Sequence, residues 1–106
     1  MLRNSNNEYQ QNGVVIQPAT PKSSSTVKVV YNGLLAKSGA NAVYAHVGFD
    51  RKWDYTSDFK MTKKANNYEA DVPMHQADTL NIAFKDCADN WDNNAGKNYS
   101  FDIANY

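Results

Sequence analysis

Three side chains in this sequence have surroundings that suit ligand contact better than a core: Trp91, Trp53 and His46. Trp91 lies in the stretch 86–98, D-C-A-D-N-W-D-N-N-A-G-K-N, where Ala88 and Ala95 offer almost no apolar cover. An indole needs roughly 150–250 Å² of cover to settle in a core, and a segment this hydrophilic belongs on the surface. Trp53 lies in the charged stretch F-D-R-K-W-D-Y-T. His46 falls between Ala45 and Val47, out of phase with their apolar alternation, so it turns to the opposite, solvated face together with Tyr44. A loop tryptophan often folds back over the end of a sandwich, and an outward histidine is usually a plain surface residue. Three such rings off the apolar pattern of one small domain point instead to a binding surface. Aromatic faces set among Asn, Asp and Lys suit sugars. A pyranose lays its apolar C–H face on a ring, and its hydroxyls meet amides, carboxylates and ammonium groups at the edge.

Other chemistries find less support in the residues. Asp86, Asp89 and Asp92 recur at every third position, and calcium takes carboxylate oxygens. The D-x-D-x-D-G loop is missing, however, and Asp-Asn runs are ordinary turn chemistry, so neither a metal nor another cofactor is expected. Glycoside hydrolysis needs a second carboxylate with a raised pKa, and no position explains one, so no catalytic residue is assigned. Cys87 has no base in its loop to activate it, and is read as a small buried or half-buried thiol. His75, in P-M-H-Q, follows a strand stop and is read as a turn residue.

The elements that must position these rings show a period of two. Val27, Val29 and Tyr31 alternate with Thr26, Lys28 and Val30, and the same period of two, with mostly polar residues between, runs through Val43, Ala45, Val47 and Phe49, then Phe59 and Met61, Tyr68 and Val72, Leu80, Ile82 and Phe84, and finally Tyr99, Phe101 and Ile103. Six short half-buried strands separated by turn residues predict an all-β, immunoglobulin-like antiparallel β-sandwich, with those apolar residues as its core. Gly33 and Gly39 break the helical composition of 34–42. Residues 1–25, rich in Asn, Gln and Ser with Pro18 and Pro21, read as an irregular N-terminal tail or linker. Only Gly13-Val14-Val15-Ile16 there could add an edge strand; a mobile segment is the preferred reading.

The 106 residues suit one domain. A formal net charge of zero, without a basic cluster, argues against a nucleic-acid partner. No window is long and apolar enough for a membrane span, so no membrane partner is expected. A lone cysteine permits no intrachain disulfide and leans toward a reducing compartment. The N-terminal residues lack a signal-peptide core. The protein is then expected in the cytoplasm if Met1 is its natural start, and outside the cell if it is a module excised from a secreted enzyme.

Longer strings sharpen the sugar reading. Leu80-Asn81-Ile82-Ala83-Phe84-Lys85-Asp86, followed by Asp89-Asn90-Trp91-Asp92-Asn93-Asn94-Ala95-Gly96-Lys97-Asn98-Tyr99, resembles the signature of the starch-binding carbohydrate-binding modules of families 25 and 53. Val29-Val30-Tyr31-Asn32-Gly33 looks like the family's first strand. Tyr44-Ala45-His46-Val47-Gly48, then Trp53, resembles its aromatic-x-His-x-Gly strand and following Trp. The resemblance runs from about Thr26 to Ile103 and makes 26–106 the module. It implies non-catalytic binding of α-1,4-glucans such as starch, glycogen and malto-oligosaccharides. It also implies a platform of His46, Trp53 and Trp91, with Asn93, Lys97 and Asn98 as polar candidates; Asn98 could instead close the loop structurally. Such modules usually accompany amylases or starch synthases, so linkage to an amylolytic or glycogen-metabolising enzyme is expected. An immunoglobulin-like protein–protein interaction module is the alternative.

Overall fold

Strands form where β-branched and aromatic residues alternate with polar ones, because each pleat then has one face to bury. In the computed structural model, which describes residues 9–18 and 20–104, the alternating runs become nine strands. These are β1 (Val14–Gln17), β2 (Thr26–Tyr31), β3 (Val43–Phe49), β4 (Asp54–Lys60), β5 (Thr62–Lys64), β6 (Asn67–Pro73), β7 (Thr79–Asp86), β8 (Trp91–Asp92) and β9 (Tyr99–Asp102). One helical turn, α1 (Leu34–Lys37), lies between β2 and β3. The first sheet runs β1-β2-β6-β5, and the second runs β4-β3-β7. The far edge of β7 is shared: Thr79–Ile82 pair with β9, and Phe84 and Lys85 pair with β8. Every strand pairing is antiparallel. The two sheets enclose one core and form the expected all-β sandwich.

The expected core residues are buried, apart from Phe59, which is half-buried and packs against the cluster. The segment expected to be an irregular tail departs from that expectation where it is described; residues 1–8 and 19 lie outside the described residues. Val14–Gln17 forms the edge strand β1, in register with Tyr31 to Lys28. Val14 and Ile16 bury inward, and Tyr9 meets Tyr99 and Phe101 edge-on at 5.0 and 5.4 Å. Gly13 permits this return. Its φ is 80°, and a Cβ there would lie 2.3 Å from the Asn32 carbonyl oxygen. Cys87 is exposed rather than buried, since the whole turn 87–90 lies on the surface.

One buried carboxylate joins the sheets. Asp92 pairs with core residue Phe84 and therefore points inward. It accepts hydrogen bonds from the Tyr31 hydroxyl at 2.6 Å and the Tyr99 hydroxyl at 2.8 Å. The Tyr31 oxygen in turn accepts from the Leu35 N–H, fixing α1. Burial, and then the bond to Asp92, push the Tyr31 phenol far above its ordinary range and the Tyr99 phenol up to about 12. Asp92→Ala leaves both hydroxyls without their acceptor, a cost of about 1–3 kcal/mol for each buried donor. Calorimetry should therefore show a fall in Tm of order 4–8 °C per kcal/mol for a domain of this size; an unchanged Tm would refute the role.

Candidate functional site

On the outer face of the second sheet, Tyr44, His46 and Gly48 of β3 alternate with the buried Val43, Ala45 and Val47. Register sets their neighbours. Tyr44 lies between Lys60 of β4 and Lys85 of β7, and His46 lies between Asp58 and Ala83. Trp91 follows Lys85 across the sheet on β8. Ala83 is small, and Trp91 reaches past it to His46, meeting the imidazole at 5.5 Å and 89°. Trp53 comes from the β3–β4 hairpin and stacks on the same imidazole at 5.6 Å and 27°. The structure thus brings together the three rings singled out in the sequence. Since one indole is nearly parallel to the imidazole and the other perpendicular, the two indole planes are steeply inclined to each other.

Each indole is held by a carboxylate-centred turn. In the Trp53 hairpin, Asp50 Oδ1 accepts from the backbone N–H groups of Asp78 and Thr79 at 3.0 and 3.1 Å. The Asp50 carbonyl accepts from Asn81 Nδ2 at 2.7 Å and from the Trp53 N–H at 3.2 Å. Gly48 makes room beneath. A Cβ there would lie 2.5 Å from Trp53 Cε3, so the indole rests on bare backbone. In the Trp91 turn, Asp86 Oδ1 accepts from the Ala88 and Asn90 N–H groups, and Oδ2 accepts from Asn90 Nδ2, all at 2.9 Å. These bonds, the one from the Asn90 side chain foremost, hold the Asp86 carboxyl below the usual carboxylate range. The turn closes at Asn90 and returns the chain to β7 at Trp91.

A second carboxylate ties the face together. Asp58 Oδ1 lies 2.6 Å from His46 Nδ1, and Oδ2 lies 2.9 Å from Lys85 Nζ. Partial burial opposes ionisation of Asp58, but the hydrogen bonds from His46 and Lys85 outweigh it and lower its pKa. An ionised carboxylate only accepts, so His46 carries its proton on Nδ1 and, when neutral, presents Nε2 as an acceptor. Lys85 Nζ also lies 5.5 Å from the Trp91 ring centroid and 6.0 Å from that of Tyr44. Asp58 and Lys85 were missed in the sequence because nothing local pairs them. The outward phase of each was readable, but the register that makes them neighbours was not.

The polar candidates divide differently. Asn93 Oδ1 accepts from the Gly96 N–H at 3.0 Å, and the Asn93 carbonyl accepts from the Asn98 N–H at 2.7 Å. Asn98 adopts a left-handed φ of 60°, and its carbonyl accepts from Asn94 Nδ2 at 3.2 Å. Both residues therefore shape the loop. Lys97 is exposed on it. Asp86, Asp89 and Asp92 do not converge: Asp86 closes a turn and Asp92 faces the core. Among the described residues, no group of three or more His, Cys, Asp or Glu could hold a metal ion. No helix there is long and apolar enough to cross a membrane. His75 is more than a turn residue, for it stacks on Tyr55.

The family described as "Starch/carbohydrate-binding module (family 53)" matches residues 27–82, just over half of the chain. The chain belongs to this family. The module is thus a non-catalytic, starch-binding one. The match includes His46 and Trp53 and ends before Trp91. A relative, named "Alpha-amylase", from Clostridium acetobutylicum is 34% identical over 112 residues, covering 96% of this chain. The chain spans only 14% of that protein's length.

Two outcomes check the geometry of the module. In a Trp91→Phe background, where Trp53 is the lone indole, Gly48→Ala should displace Trp53 from His46 and shift its emission to longer wavelength; unchanged emission would show the close approach to be dispensable. For Asp58, the folded pKa is depressed, so the tether is complete above the ordinary carboxylate pKa and is lost as pH falls through the lower folded value. The near-UV circular dichroism of the tryptophans should therefore hold through the ordinary carboxylate range and change only below it. Asp58→Asn should lack the transition.

Proposed function

We propose that the module holds α-1,4-glucans on His46, Trp53 and Trp91, stacking sugar rings on the two indoles and hydrogen bonding to hydroxyls at their edges. The observation that carries this reading is the convergence of both indoles on one imidazole with their planes inclined. An α-1,4-linked chain turns from one residue to the next and can meet two inclined faces, whereas a flat glucan ribbon cannot. Lys85 lies at the Trp91 ring, and the loop that follows Trp91 carries Asn93 and Lys97. His46 offers Nε2, Lys85 and Lys97 offer ammonium donors, and Asn93, whose amide oxygen already accepts from Gly96, offers its NH₂ group. Asn98 contributes by setting the loop.

Rings contributing about 0.5–1.5 kcal/mol each beyond area burial, with hydrogen bonds added, correspond to a Kd roughly between μM and mM. Such a grip suits a polymer, on which weak contacts recur. The reading extends to a partner enzyme acting on the same polymer, as in the amylase relative.

The test is intrinsic fluorescence titrated with maltoheptaose and with cellohexaose, alongside migration in native gels containing amylopectin. The first sugar should quench and the second should not. Trp53→Ala and Trp91→Ala should each weaken binding about tenfold, the equivalent of about 1.4 kcal/mol, and lose retardation in the gel. If both variants migrate with the retardation of the parent, the site is misassigned.

A further inference from the structure

A second aromatic pair, with one ring on the same β3–β4 hairpin, lies outside the His46 cluster. Tyr55 is 65% exposed, more than the 44% of Trp91. Its ring is stacked on the imidazole of His75, with centroids 4.1 Å apart and planes 7° apart. His75 in turn meets the buried ring of Phe49 at 5.0 Å and 76°. One face of Tyr55 is thus backed by a ring wedged against the core, and the other is open to solvent.

The backbone at Tyr55 is also unusual. Its φ is 56°, a left-handed conformation in which a bulky side chain is a genuine outlier. The Thr56 hydroxyl donates to the Trp53 carbonyl across it. An idle surface tyrosine has no need of a rigid mount. The residues just before it in the hairpin are polar, and Asp50, Arg51, Lys52 and Asp54 line a hollow together with Asp78 and Thr79. An open aromatic face next to carboxylates and cations is the combination that suits a pyranose. The two platforms are built on different rings: Trp53 meets His46, and Tyr55 meets His75. Trp53 lies over Gly48 on the outer face of β3, whereas Tyr55 reaches the connection from β6 to β7 that carries His75, at one end of the sandwich.

We propose that Tyr55, backed by His75, is a second stacking platform that takes a glucosyl unit of an α-glucan independently of the His46 cluster. The proposal rests on the glucan-binding reading above. Two weak contacts on one small domain raise its retention on a polymer through effective concentration, and leave its affinity for a short oligosaccharide untouched.

The test compares the parent, Tyr55→Ala and Tyr55→Phe in two measurements. Maltotriose titration by tryptophan fluorescence reports the His46 cluster, and retardation in amylopectin gels reports retention on the polymer. Tyr55→Ala should keep the parental maltotriose affinity and lose retardation by about two- to tenfold, the range expected for one ring. Tyr55→Phe, which keeps the ring, should behave as the parent. Parental retardation in Tyr55→Ala, with the maltotriose response intact, overturns the second platform and leaves the first standing. Loss of maltotriose binding in Tyr55→Ala places Tyr55 in the first cluster and also overturns the proposal. A parent that answers to neither sugar overturns both readings.

Discussion

The arrangement of this module depends on a buried carboxylate at the two-residue strand β8. Strand geometry gives neighbouring side chains opposite faces. Trp91 can stand outward beside Lys85 only if Asp92 points into the core beside Phe84. A carboxylate there is tolerable only with hydrogen-bond partners. Tyr31 supplies one from the first sheet and Tyr99 the other from the second. The polar string W-D-N-N is therefore not merely a decorated loop. Its aspartate fastens the two sheets at the point where its tryptophan leaves the surface, so stability and the outward ring share one anchor.

Much of this was legible in the sequence, and most of what was not depends on partners distant in the chain. Where burial follows from alternation along a strand, the sequence shows it. Alternation identified the core from Val27 to Ile103, and the phase of His46 against Ala45 and Val47 put it outside. Residues whose role depends on distant partners were read as generic polar or turn chemistry. Asp92 reads as a calcium ligand or turn residue, because Tyr31 lies far off in sequence on the other sheet and the bond from Tyr99 depends on how the loop between them folds. His75 was read as a turn residue, because Tyr55 and Phe49 belong to another hairpin. Asp58 and Lys85 became neighbours only when β4, β3 and β7 took their register. The edge strand β1 was passed over for a different reason. Its Asn- and Gln-rich surroundings resemble a linker, and composition does not reveal that Tyr9, Val14 and Ile16 find cover against the sandwich.

The hairpin after β3 shows how the face is kept rigid. Asp50, Trp53 and Tyr55 all have left-handed φ values of 55–59° without being glycine. Strain of this kind persists only where surrounding contacts over-determine it. Here Asp50 is bonded to three backbone or side-chain donors on the chain leading into β7, and Trp53 is seated on Gly48. Rings fixed before a ligand arrives lose little freedom when it binds, so more of each weak contact survives as affinity.

The shared edge of β7 carries a consequence for how such modules diversify. β8 and β9 run along it in one line, and the chain 93–98 leaves that line after Asp92 and rejoins it at Tyr99. The hydrogen bond from the Tyr99 hydroxyl to Asp92 closes the neck. The segment is in effect a cassette clipped into a strand. Asn93 and Asn98 set its shape by bonds within it, so changes at its exposed positions, Ala95 to Lys97, leave both registers and the core in place. Variation in preference among descendants of this fold has a ready place to accumulate there, insulated from the frame that holds the rings.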